Sequence, residues 1–251
     1  MRQYSKLVRL YVPDDLANRL DCGSDCELPQ SQAHYLGIVM RLNTGAQIRV
    51  FNGENGEFLA ELTDIAKRRA TIKIIEQLRA PKSAPDIWLL FAPVKKHRNT
   101  FIVEKATELG AALIRPVITA RTTSKIRTDK IAVQIIEAAE QTERLDLPLV
   151  REPVKLDKLL SDWDDTRTLI FADEAIAGGE CDAPSAAKNL AKIKAPAAIL
   201  IGPEGGFSQG ERDMLRAKAY CTPISLGPRI LRADTAVAAT LALWQSVSGD
   251  W

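Results

Sequence analysis

The sequence predicts an α/β protein: a small β-rich N-terminal domain followed by a larger domain built on a parallel sheet. Three observations carry this. Short apolar runs alternate with helical stretches from Ile87 onward, the pattern of a sheet with crossover helices. The first 78 residues show strand-like runs and few helical periodicities. Two glycine-proline loops, Gly202-Pro-Glu-Gly-Gly206 and Gly227-Pro-Arg-Ile-Leu-Arg232, each follow one of the last two apolar runs.

In chain order, Leu7–Val12, Gln47–Phe51, Glu57–Leu62 and Thr71–Glu76 read as strands, with Asn52-Gly-Glu-Asn-Gly56 as a turn. Residues 1–78 are therefore expected to form a small β-domain, a barrel in outline. Ala80-Pro-Lys-Ser-Ala-Pro85 reads as a linker, because two prolines disfavour helix and central strand alike. In residues 79–251, Ile87–Phe91, Leu113–Ile118, Leu169–Ala172, Ala197–Ile201 and Pro223–Leu226 are the expected strands. Helices are expected over Phe101–Leu109, closed by Gly110, and over Lys130–Arg144, with shorter ones near Leu156 and Ala186. Ser208 with Glu211 has the spacing of a capping box that opens a helix to Ala219. Asp234 or Thr235 is expected to cap a last helix running to Val247.

The two loops sit at strand ends, where open α/β sheets bind ligands. Glycine there lets the backbone approach a ligand closely. No Gly-Lys-Ser/Thr follows, and Gly-x-Gly-x-x-Gly is absent, so neither a triphosphate loop nor a dinucleotide fold is indicated. Either loop alone could be an ordinary strand-to-helix turn; their pairing points to a binding cleft. Phe171-Ala-Asp-Glu174, ending the preceding strand, is expected to line it.

With Glu104-Lys-Ala-Thr-Glu-Leu-Gly110, Ala138-Ala-Glu-Gln141 followed by Arg144, and His34-Tyr-Leu36 with Val39-Met-Arg41, these loops closely resemble the bacterial 16S rRNA (uracil-N3)-methyltransferases of the SPOUT superfamily. The resemblance spans nearly the whole chain. It implies a PUA-like RNA-binding barrel over residues 1–78 and, over 79–251, a methyltransferase domain holding S-adenosylmethionine in a C-terminal trefoil knot. It further implies N3 methylation of uridine 1498 of 16S rRNA within the 30S subunit, by a cytoplasmic homodimer. Cofactor contacts are implied at Leu200, Gly202, Pro203, Glu204, Gly205, Leu226, Gly227, Pro228, Ile230, Leu231 and Thr235. The chain departs from the family at Ala233-Asp-Thr-Ala236, where Thr-Glu-Thr-Ala is usual, and at Lys95-Lys-His-Arg-Asn99, where Lys-Gly-Asp-Arg/Lys is commoner.

Catalysis is expected of Arg232 and Asp234. Uridine N3 must lose a proton before it attacks, and a fixed guanidinium favours the charge that then reaches O2 or O4. Arg232 has an alternative role as the ion-pair partner of Glu204, and Glu204 and Glu140 are alternative bases. His34 and His97 are expected in the β-domain and in a basic loop respectively.

Composition sets the partners. Thirty-four basic and 32 acidic residues leave a net charge of only +2, so any nucleic-acid contact must come from local runs. Such runs occur at Lys67-Arg-Arg69, at Lys95-Lys-His-Arg98, and across Arg121 to Lys130. Arg9, Arg41, Lys95, Arg98, Arg121 and Arg144 are the expected RNA contacts. Cys22, Cys26, Cys181 and Cys221 have neither disulfide-framework nor zinc-site spacing, so no metal and reduced thiols are expected. No apolar run reaches membrane-spanning length, and Met1-Arg-Gln-Tyr4 begins no signal-peptide core. Two rival readings are a SPOUT enzyme that methylates ribose or tRNA and a non-catalytic ribosome-assembly factor. The Ser-Leu-Asn-Val-Ser segment usual in ribose methyltransferases is missing after Leu226.

Overall fold

A computed structural model describes residues 4–12, 20–173 and 186–251; Glu174 and Cys181 lie outside them. The chain forms two compact units, one of Met1–Ser83 with Ala139–Leu147, the other of Ala84–Ala138 with Pro148–Trp251.

The first unit holds strands β1 (Arg9–Tyr11), β2 (Asp25–Leu28), β3 (Gln47–Asn52), β4 (Gly56–Ile65) and β5 (Ala70–Arg79), with helix α1 (Gln30–His34) and a π-helical turn, Tyr35–Val39. The sheet order is β1-β3-β4-β5-β2. Only β1 and β3 run parallel. Register shifts along β4 bend that long strand, as bulges do, and alternate residues such as Ile48, Val50, Ala60, Leu62, Ile72 and Ile74 fill its core. The last strand reaches Arg79, one residue past the expected domain end. The unit also takes in Ala139–Leu147, which no local pattern announces.

In the second unit the strands are β6 (Ile87–Phe91), β7 (Leu113–Ile118), β8 (Leu149–Val150), β9 (Val154–Lys155), β10 (Thr168–Ala172), β11 (Ala197–Ile201) and β12 (Cys221–Ile224). The helices are α2 (Lys96–Glu108), α3 (Thr128–Thr142), α4 (Leu156–Ser161), α5 (Ala186–Leu190), α6 (Gln209–Arg216) and α7 (Ala233–Ser248). The strands run parallel in the order β12-β10-β11-β6-β7-β8, with β9 beside β7. After β11 the chain crosses back over β10 to reach β12, and α7 then returns to pack on α2, α5 and β11. Such a reversal of strand order makes a switch point at the C-terminal ends of the strands.

Three local readings need correction. Helix α2 opens at Lys96, so His97 and Arg98 lie in its first turn and not in a loop; buried Asn99 ties that turn down by exchanging hydrogen bonds with the backbone of Val94. The last strand is Cys221–Ile224, which leaves Leu226 in the loop; Pro223 is tolerated because β12 is an edge. Arg232, and neither Asp234 nor Thr235, occupies the N-cap position of α7, without a side-chain capping bond, because Ala233 already lies in the helix. Among the described residues no helix is long and apolar enough to cross a membrane, and no cluster of metal-binding side chains occurs. Cys22, Cys26 and Cys221 are free thiols, and burial pushes the Cys221 thiol up to about 12.

Candidate cofactor cleft

The C-terminal ends of β10, β11 and β12 converge. Ala172 pairs with Ile224, Phe171 with Leu200, and the Asp173 amide donates to the Ile224 carbonyl at 3.0 Å. Over this point the two glycine loops line a solvent-open cleft, in the place where open α/β sheets bind ligands. Asp173 stands at one wall, Gly202, Pro203 and Glu204 at a second, and Leu226, Gly227, Arg229, Ile230 and Leu231 at a third. Ala172, Ile201, Phe207, Ile224, Ala233 and Ala236 complete the apolar lining.

Each wall is held from outside. A Cβ on Gly202 would lie 3.2 Å from the Phe207 ring, itself buried edge-on against Phe171. Gly227 instead has φ +104°, a conformation that disfavours any Cβ. The first loop closes on itself through Gly206 N–H to the Pro203 carbonyl, 2.9 Å. From α2, Arg98 pairs with Glu204 at 3.2 Å, and Arg121 donates to the Gly205 carbonyl at 2.6 Å. The capping box of α6 is formed: Ser208 accepts from the Glu211 amide and Glu211 from the Ser208 amide. The second Glu211 oxygen accepts from Ala120 N–H at 2.7 Å, fastening the loop after β7 to the same turn. The Asp173 carboxylate is fully buried and held by Arg216 at 2.6 Å.

Most of the expected cofactor residues come together here: Gly202, Pro203, Glu204, Leu226, Gly227, Ile230 and Leu231 line the cleft. Leu200, expected to contribute backbone groups, lies outside the lining, with its side chain in the core of the sheet. Gly205, Pro228 and Thr235 lie on the same segments but outside the lining. Arg232 and Asp234 flank Ala233 at the start of α7; Arg232 is exposed, and Asp234 accepts from the Thr235 amide. Glu204 is already paired with Arg98, so Arg232 is not its partner. Glu140, the other candidate base, accepts from Tyr11 N–H in the first unit. Arg229, Ile201, Ile224 and Phe207 were not anticipated; the helix-like gap between strands hides which ends meet.

Of the expected RNA contacts, Arg41 and Arg121 are exposed, as is Lys95, and Arg98 is partly so. Arg9 and Arg144 are corrected. The Arg9 guanidinium is buried between Glu57 and backbone carbonyls of Ala139 and Arg144, and Arg144 is buried against Asp146. Neither cation is available to a phosphate.

Comparison with known proteins settles the family. A model described as an RNA methyltransferase domain matches residues 81–245, and one described as an RNA methyltransferase PUA domain matches residues 28–75. The chain belongs to the RNA methyltransferase family. Within this family it is 30% identical over 241 residues to "Ribosomal RNA small subunit methyltransferase E" of Rickettsia conorii, covering 94% of each chain. It is 31% identical to the Bacillus subtilis protein of that name, over 82% of this chain and 83% of the other. Among solved structures, the Neisseria gonorrhoeae ribosomal RNA small subunit methyltransferase E bound to S-adenosylmethionine superposes with a TM-score of 0.83 at 27% identity, covering 98% and 99% of the two chains. A Legionella pneumophila protein described as a methyltransferase, solved with the same cofactor, gives 0.79 at 30% identity over 98% and 100%. This RNA methyltransferase thus carries the SPOUT-type parallel sheet together with a PUA-like N-terminal unit.

Proposed function

We propose that this RNA methyltransferase uses S-adenosylmethionine to methylate N3 of one uridine in 16S rRNA, uridine 1498 by family resemblance, acting on the 30S subunit as a cytoplasmic homodimer. The observation that carries this reading is the convergence of both glycine loops on one cleft at the switch point of the sheet. The residues present fit the cofactor. Ile230 is 76% exposed although apolar, and with Leu231 it offers faces for an adenine while their backbone groups read its edge. Gly202 lets the Phe207 ring close one wall, and Gly227 allows the left-handed turn that shapes the other.

When bound, the cofactor supplies a methyl on a sulfonium, a donor that needs positioning more than activation. The chain's own task is to prepare N3. Each unit by which that proton's pKa exceeds the ambient pH costs about 1.4 kcal/mol. Arg232 has no ion-pair partner among the described residues, so its charge is free to stabilise a uracil oxygen as the proton leaves. With Glu204 held by Arg98, Glu140 by Tyr11 and Asp173 by Arg216, Asp234 is the carboxylate assigned to receive that proton. Arg41, Lys95, Arg98 and Arg121 contact the RNA.

Calorimetric titration with S-adenosylmethionine, followed by mass mapping of methylated small-subunit rRNA, tests this reading. Arg232→Ala should bind the cofactor within about twofold of wild type and lose about 10²–10³ in kcat, the scale of a lost oxyanion donor. A variant with full turnover would remove Arg232 from the mechanism. A wild-type chain giving no heat with the cofactor would overturn the whole assignment.

A further inference from the structure

The PUA-like unit carries an apolar ridge that its core does not use. On the π-helical turn, Ile38 is 52% and Val39 59% exposed, and Tyr35 and Met40 stand beside them at 38% and 40%. Buried Leu36 alone anchors the turn inward. The turn is closed by Met40 N–H to the Tyr35 carbonyl at 2.9 Å, an i to i+5 bond; such turns are uncommon and concentrate at functional sites. The next residue, Arg41, has φ +55°, rare for a side chain of its size. A second element flanks the ridge. A Cβ on Gly37 would lie 3.4 Å from Ile65, so the turn packs on the loop end of the β4–β5 hairpin, beside its tip Lys67-Arg68-Arg69. Arg69 is paired with Asp64. Among the described residues Arg41, Lys67 and Arg68 have no carboxylate partner.

An exposed apolar ridge between unpaired cations matches unstacked nucleic acid: bases against apolar and aromatic groups, phosphates against the cations. A protein partner with an apolar face would leave the three cations uncompensated. We propose that this ridge and the β4–β5 hairpin form a binding surface for single-stranded RNA, Tyr35, Ile38, Val39 and Met40 contacting bases and Arg41, Lys67 and Arg68 the backbone. The inference rests on the RNA-directed reading above and adds a surface to it; none of these apolar residues belongs to the cofactor cleft.

The test is direct binding of the full-length protein to a fluorescein-labelled single-stranded oligoribonucleotide across a salt series. Ile38→Ser/Val39→Ser should weaken binding at least tenfold with the salt slope unchanged. Lys67→Gln/Arg68→Gln should instead flatten the slope of log K against log salt by about 1.4, at about 0.7 per phosphate. Both should keep the wild-type melting temperature and cofactor affinity. Unchanged RNA affinity in the apolar variant overturns the proposal, as does an apolar variant that changes only from dimer to monomer in sedimentation, which would make the ridge a contact between copies. Binding is read without methyl transfer, so the two readings fail separately. A wild type that binds this RNA through the ridge but leaves small-subunit rRNA unmethylated would sink the proposed activity and leave the surface standing.

Discussion

At Glu57 a single carboxylate organises three arginines. It is fully buried, 2.6 Å from Arg9 and from Arg79 and 3.5 Å from Arg49, while Arg9 also lies 3.5 Å above the Phe51 ring. Burial pushes the Glu57 carboxyl up, but hydrogen bonds from Arg79 and Arg9 outweigh it and hold it below its ordinary range. Burial acts on Arg9 in the opposite sense and lowers it. Removing the carboxylate charge strands cations in a dry site, so Glu57→Gln should destabilise the first unit by about 3–5 kcal/mol. Hydrogen exchange is the fitting measurement, because all four tryptophans lie at or beyond Trp88 and fluorescence would report mainly the other unit. Amides of β3, β4 and β5 should exchange faster, with those of β10 and β11 unchanged; uniform protection would refute the assignment. The pH dependence has a fixed sign. A carboxyl depressed in the folded state stabilises above its unfolded pKa, and that contribution fades as the pH falls through the folded value, so the first unit should loosen as the pH is lowered into the acid range. None of this network was legible in advance. A sequence displays the charge of Arg9 but not its burial, and Glu57 lies 48 positions away.

Elements were legible where the signal is local. The Ser208–Glu211 spacing is a complete capping box, and β6, β7 and β11 run over the expected residues. The π-helical turn and β2 were not foreseen, because their shapes depend on packing against the rest of the sheet. Glycines make the distinction sharpest. Gly202 and Gly227 look alike in sequence, each opening a glycine-proline loop, yet they are glycine for different reasons. At Gly227 there is open space around a Cβ but a left-handed backbone; at Gly202 the backbone is ordinary and the Phe207 ring is in the way. Gly227→Ala should cost about 1–2 kcal/mol in loop geometry, weakening cofactor binding roughly tenfold. Gly202→Ala should cost a similar amount by displacing Phe207. Adding Phe207→Leu separates them: the smaller side chain should make room for the new methyl and recover affinity in the Gly202→Ala background, and do nothing for Gly227→Ala. Equal behaviour of the two double variants in a calorimetric cycle would show that one mechanism governs both loops.

Across the whole molecule the charge is nearly balanced, so its response to salt separates the two kinds of binding the fold supports. The cofactor cleft is lined mainly by backbone, apolar side chains and carboxylates already paired with Arg98 and Arg216. A ligand held there by shape and hydrogen bonds displaces few counterions. RNA is a different case. With Arg9 and Arg144 withdrawn into the interior, the cations proposed to meet phosphates are Arg41, Lys67 and Arg68 in the first unit and Lys95, Arg98 and Arg121 in the second. Six contacts at about 0.7 each give a slope near −4 for log K against log salt on a single strand. Cofactor affinity should stay within about twofold over the same range. Arg98→Gln is the revealing substitution, because the guanidinium proposed to meet RNA is also the one paired with Glu204. It should flatten the RNA slope by roughly 0.7 and, by freeing Glu204, weaken the cofactor severalfold, whereas Lys95→Gln should alter the RNA slope alone. Measured together by anisotropy and calorimetry, identical effects of the two substitutions would mean that Arg98 does not couple the first glycine loop to the RNA.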